Sequence, residues 1–170
     1  THTTSYIAER SIVFKTTKST LNTTRNSPND ISLSNDTIFE RWRLGQMDSA
    51  PLFFHRSEEN FEFQFEIKLR KRGPFNECII GRIDIDSDNL KDLSQAIRTF
   101  RSYLRKEAPF VSIVSIAFNP AHHEAQSIRK GLGLLSIKVK NKIHFIIKSE
   151  SSDYSSESRW RLFRGDIDTW

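Results

Sequence analysis

The stretch NFEFQFEIKLRKRG, from Asn60 to Gly73, decides how the rest of the chain is read. Phe61, Phe63, Phe65, Ile67 and Leu69 occupy alternate positions, and Glu62, Gln64, Glu66, Lys68 and Arg70 lie between them. A period of two places the apolar set on one face of a β-strand and the polar set on the other, as in an antiparallel strand with one wet face. Lys71, Arg72 and the pair Gly73-Pro74 follow where such a strand must turn.

Downstream, CIIGRIDID (Cys78 to Asp86) is a second strand candidate. The period then changes. Leu90, Leu93, Ala96, Ile97, Phe100, Tyr103 and Leu104 recur at spacings of three and four, which predicts an amphipathic helix. Ser87 or Asp88 is positioned to cap its start, and Ala108-Pro109 ends it. Arg98, Arg101 and Arg105 are neighbours on its outer side. FVSIVSIAF (Phe110 to Phe118) is continuously apolar and reads as a central strand covered on both faces. The segment Asn119 to Gly133 reads as a linker with one helical turn. LLSIKVKNKIHFIIK (Leu134 to Lys148) reads as a hairpin around Asn141, and RWRLF near the end as a last strand. The predicted fold class is α+β: a mainly antiparallel β-sheet with one long helix packed on one face. Residues 1–37 are expected to form an N-terminal strand (Ser11 to Thr17) and a polar flexible segment, and residues 38–170 a single α+β globular domain.

The chain has 170 residues, net charge +5 and 13 phenylalanines among 36% hydrophobic residues, enough clustered apolar surface for one core. The charge suits a polyanionic partner, either an anionic membrane surface or a single-stranded nucleic acid. The single Cys78 excludes an intrachain disulfide and a thiolate metal cage. No apolar run reaches the length of a membrane span and no signal peptide opens the chain, so the expected setting is intracellular, in host cytoplasm or nucleus, or peripheral to a membrane or virion.

Four basic clusters are the candidate polyanion site: Arg41 and Arg43; Lys68, Arg70, Lys71 and Arg72; Arg98, Arg101 and Arg105; and Lys138, Lys140 and Lys142, with Arg129 and Lys130 as additions. Arginine presents a fixed fork to phosphate and lysine a mobile charge. Trp42 and Trp160 are aromatic neighbours able to stack on bases, though tryptophan is more often a core residue. RWRL occurs at Arg41 to Leu44 and again at Arg159 to Leu162, in flanks that do not match.

Catalytic signatures are weak. Asp84, Asp86 and Asp88 alternate but lack the glycine and distal glutamate of a calcium loop. Glu66 and Lys68, with Asp48, have the residue types of a metal-dependent nuclease, yet E-x-K arises on any half-wet strand. His122, His123 and Glu124 have no third ligand at a useful spacing and read as a surface loop. The expectation is a protein without catalytic residues, metal or cofactor.

A strand with a basic turn before GPF, then CIIGRIDI, the helix AIRTFRSYLRK, the strand VSIVSIAF and the later LLSIKVK and IHFIIK form an order that resembles the core of rhabdovirus-type matrix proteins over about residues 60–148. The resemblance implies a self-associating structural protein that binds anionic membrane and nucleocapsid through its basic patches. The N-terminal segment departs from that family, being polar and weakly charged, with no P-P-x-Y, which puts assembly through the usual arm in doubt. The alternatives are a nucleic-acid-binding protein without sequence preference, such as a viral movement protein, and a metal-dependent nuclease.

Overall fold

The computed structural model describes Phe14, residues 51–139 and residues 156–163. Among these residues four strands form one sheet in the order β1 (Leu52–Ser57), β2 (Glu62–Arg72), β3 (Phe75–Ile85) and β4 (Ile113–Ile116). Helix α1 (Leu90–Glu107) connects β3 to β4, and helix α2 (Ala125–Leu132) follows β4. The class is α+β, but the sheet is mixed. β1, β2 and β3 are antiparallel neighbours, whereas β4 runs parallel to β3. A parallel neighbour requires a long crossover, and α1 supplies it.

The quoted stretch behaves as its alternation predicts on one side. Phe63, Phe65 and Ile67 are fully buried and share a cluster with Phe54, Ile80, Ile83, Ile85 and the inner face of α1. Phe100 of α1 stacks on Phe65 with ring centroids 4.6 Å apart, and Phe54 lies against both Phe100 and Tyr103. Phe14, from the predicted N-terminal strand, is buried in the same cluster and meets Tyr103 edge-on. Rings at these separations add to the burial energy of each side chain.

On the other face the expected wet surface holds at Glu62 and Arg70 but not between them. Gln64 and Glu66 of β2, with Glu77, Arg82 and Asp84 of β3, are all buried. Alternation cannot separate a solvated polar face from a buried one, because both carry the same residue types at the same spacing. A bulge explains how β3 divides its residues. Glu66 pairs with Arg82 and Ile67 with Ile80, which leaves Gly81 as an extra residue. Cys78 and Ile80 before it, and Ile83 and Ile85 after it, therefore all face α1. At the opposite end Gly73 takes φ 59° as the first residue of the two-residue turn between β2 and β3, a backbone region glycine enters without strain.

Helix α1 matches its periodicity, with Leu93, Ala96, Ile97, Phe100 and Leu104 buried. Its cap is Asn89 rather than Ser87 or Asp88: the Asn89 side chain accepts from the Lys91 N–H. Ser87 instead accepts from the Asn89 N–H and bonds to Asp92, bracing the cap.

Several sequence readings change. LFFHRS, which carries only half of a pattern, is strand β1. The apolar run Phe110 to Phe118 yields a four-residue strand at the end of the sheet order, with every residue half-buried. Its apolar residues are partly buried against the main core cluster, and Phe118 bridges to Phe163. The linker Asn119 to Gly133 contains a full helix, α2. Residues 134–139, expected as the first arm of a hairpin, form no strand and are exposed. The second arm, residues 11–13 and 15–17, Asp48 and the first RWRL copy lie outside the described residues. RWRLF forms no strand: a short 3₁₀ turn at Glu157–Arg159 leads into it, and Trp160 and Phe163 each make an isolated bridge, Phe163 with Phe118.

Candidate functional site

The two helices pack side by side through a close approach at Gly131. A side chain there would meet Ile97 Cβ at 2.7 Å and the Ser94 carbonyl at 3.0 Å, so only glycine admits this spacing. Arg101 sits at the same junction and donates from Nη1 to the Gly131 carbonyl at 3.0 Å. That places a cation on the C-terminal end of α2, where unpaired carbonyls concentrate negative potential. Arg101, expected as a polyanion-binding residue, thus also links the two helices.

Its position joins two basic rows. Arg98 and Arg105 flank it on α1 and are exposed, and Arg129 and Lys130 occupy the last turn of α2, also exposed. Arg98 donates to Gln95 of its own helix. Across both helices seven basic residues stand against two acidic ones, Asp92 and Glu107. Of the two, Asp92 is engaged by Ser87 and Glu107 pairs with Lys106 at 3.4 Å. The helical layer is thus a strongly positive surface on a rigid scaffold.

The other clusters divide differently. Arg70 pairs with Glu77 at 2.7 Å and Arg72 with the same carboxylate at 3.7 Å. Glu77 is buried, and burial by itself raises its pKa. The neighbouring Ser115 hydroxyl and the Arg70 and Arg72 guanidiniums outweigh that effect and hold it below the usual 4.5. The basic turn is therefore partly spent on holding the β2–β3 hairpin. Lys71 is exposed, while Lys68, half-buried, lies opposite Ile79. Lys138 is exposed on the segment after α2. Arg41, Arg43, Lys140, Lys142 and Trp42 lie outside the described residues.

Residues with chemical potential also gather at a fork in the sheet, which sequence spacing did not reveal. β4 pairs with β3 only from Glu77 to Ile80, and β3 then continues to Ile85 past the Gly81 bulge without it. Arg161 fills the gap. Its Nη2 donates to the Ile83 carbonyl at 2.9 Å, its Nε donates to Glu124 Oε2 at 2.8 Å, and its guanidinium lies 5.0 Å from the Phe163 ring. His122, expected on the surface, is buried with Nδ1 3.8 Å from Glu124 Oε2, while His123 is exposed. The space left between Phe118, His122, Glu124 and Arg161, about 10 Å³, is at the lower limit for holding a single water. Asn119 ties the same region together by donating from Nδ2 to the carbonyls of Glu157 and Trp160. The only sequence signal for this cluster was the adjacency of His122, His123 and Glu124. Arg161, 37 residues away from Glu124, carries no local mark.

The candidate acids are committed to structure. Asp84 pairs with Arg82 at 3.0 Å on one strand, and Asp86 accepts from the Glu62 N–H. Glu66, proposed for a nuclease pair, is buried opposite Arg82. Among the described residues no group of three His, Cys, Asp or Glu side chains is arranged to hold a metal ion. Cys78 is buried, and burial together with the Glu77 charge pushes its thiol up to about 12, which makes it inert at neutral pH.

No family model, curated protein or solved structure matches this chain. Among the described residues, no helix is long and apolar enough to cross a membrane.

Proposed function

We propose that the protein is a non-enzymatic, self-associating assembly module of matrix type that binds a phosphate-bearing polyanion through its helical layer. The supporting observation is the Arg101–Gly131 contact, which joins the helix that carries Arg98 and Arg105 to the helix that carries Arg129 and Lys130. Four exposed cations on two mutually packed helices present a surface that phosphates approach without any change in the fold. The test uses exposed residues only. Arg98→Glu combined with Arg105→Glu should cut binding to anionic vesicles or single-stranded polynucleotide by more than about tenfold, at about 1 kcal/mol for each charge lost near such a surface and as much again on reversal. Binding should also weaken as salt rises. Circular dichroism should be unchanged, since neither residue is buried. Undiminished binding in a folded double variant rules the surface out.

A second reading rests on the fork. Ligands of open sheets with parallel strands sit beyond the carboxyl ends where neighbouring strands part, and bulges often stand beside such sites. An extended ligand carrying amide or carbonyl groups would pair with the β3 edge at Ile83 and Ile85 after displacing Arg161. Arg161→Ala should then strengthen binding of such a ligand in a small-molecule thermal-shift screen. A screen in which neither form responds counts against it.

A further inference from the structure

The segment that leaves α2 is unusual for a water-facing surface. Leu134, Leu135, Ile137 and Val139 are 104%, 92%, 89% and 61% exposed. Single exposed aliphatics are ordinary, but four within six positions mark a contact surface. Their place in the fold gives them a setting. The Cβ position of Gly133, the residue before Leu134, lies 2.9 Å from Arg101 Nη1, and Gly133 takes φ 82° as the chain turns out of the helix. The apolar segment thus starts at the junction of the two basic rows, and it carries Lys138 within it.

We infer that residues 134–139 are an interfacial anchor for an anionic lipid bilayer, with Leu134, Leu135, Ile137 and Val139 entering the headgroup–acyl boundary and Arg98, Arg105, Arg129 and Lys130 resting on lipid phosphates. This rests on the polyanion reading above and selects the polyanion. A bilayer offers apolar depth and negative charge together, which is what this surface needs. A nucleic acid supplies the charge but leaves the aliphatic side chains in water, since base stacking favours aromatic or guanidinium partners. A second copy docked on this face would cover the aliphatics but set two positive layers against each other. Each component alone is modest. Four buried aliphatics and four cations act as the two signals that stable peripheral binding requires.

The experiment measures co-sedimentation with phosphatidylcholine vesicles, with and without phosphatidylserine, alongside binding to a single-stranded polynucleotide. The wild type should bind only the vesicles that contain phosphatidylserine. Leu135→Ser with Ile137→Ser should reduce that binding by at least about tenfold per side chain, because each buried aliphatic contributes more than 1.4 kcal/mol. These positions are exposed, so the variant keeps its fold. A Leu135→Trp reporter should shift its emission to the blue on vesicles and be quenched by acyl-brominated lipid. If the serine variant still binds vesicles fully, or the Trp reporter stays unquenched, the anchor is wrong and the basic surface stands. If the wild type binds polynucleotide and not vesicles, the lipid assignment fails while the polyanion reading survives. If it binds neither, both fail.

Discussion

Both faces of the central sheet bury residues at its middle, and they are differently built. Toward α1, Phe54, Phe63, Phe65, Ile80, Ile83 and Ile85 meet Phe100 in close aromatic and aliphatic contact. On the far side Gln64, Glu66, Glu77, Arg82 and Asp84 are buried as well, and their charges are held by partners such as Arg82 on Asp84 and Arg70 on Glu77. The first face draws its stability from area removed from water and tolerates conservative changes of shape. The second depends on pairing. Intact, it is close to neutral, and with one partner missing it is costly. A similar depth of burial therefore predicts opposite responses to substitution.

The comparison breaks most sharply at its aromatic centre. Phe65→Ala should cost about 3–5 kcal/mol in a denaturant titration, since it removes a fully buried ring that stacks on Phe100 and leaves a cavity. A loss below about 1 kcal/mol would show that this face is loosely packed. Next, Arg82→Ala should cost about 3 kcal/mol, because it strands the Asp84 carboxylate in a dry site. Adding Asp84→Asn should recover part of that loss. A double variant no more stable than the single would mean that stranded charge is not the cause.

The smallest effect sharpens the contrast through pH. The Glu77 pKa is lower in the folded protein than its ordinary value. Its stabilising contribution is therefore present above pH 4.5 and is lost as pH falls through the lower, folded value. Glu77→Gln should cost about 1–2 kcal/mol at neutral pH, the partial exposure of Arg70 and Arg72 keeping it small. The stability gap between variant and wild type should close on acidification. The Phe65→Ala gap should not follow pH, because no titrating group is removed. A pH-independent Glu77→Gln gap would show that the carboxylate charge is not what holds the hairpin.

Much of this was written locally. The alternation from Phe61 to Leu69 identified a strand and its core face, and the spacing from Leu90 to Leu104 identified α1, which continues to Glu107. The outward position of Arg98 and Arg105 followed from the same helical period. Helix α2 was missed because eight residues with one apolar stripe resemble a polar linker until something packs against the stripe. β1 was missed because LFFHRS has no alternation of its own and is a strand through its pairing with β2. The contact of Arg101 with α2 was missed for a related reason. Nothing in the sequence places Gly131 within reach of a helix 30 residues earlier.

Sequence alone thus determined periodicity, charge balance and the residues that have to leave water, since these depend on neighbours a few positions apart. Tertiary structure alone decided that Gln64 and Glu66 on the second sheet face are buried, that β4 runs parallel to β3, that Arg161 closes the fork, and that Arg101 reaches the end of α2 beside an exposed aliphatic segment. Each of these is a meeting of residues distant in the chain. A side chain's type records what it prefers to contact, whereas only the folded backbone determines which partner is there.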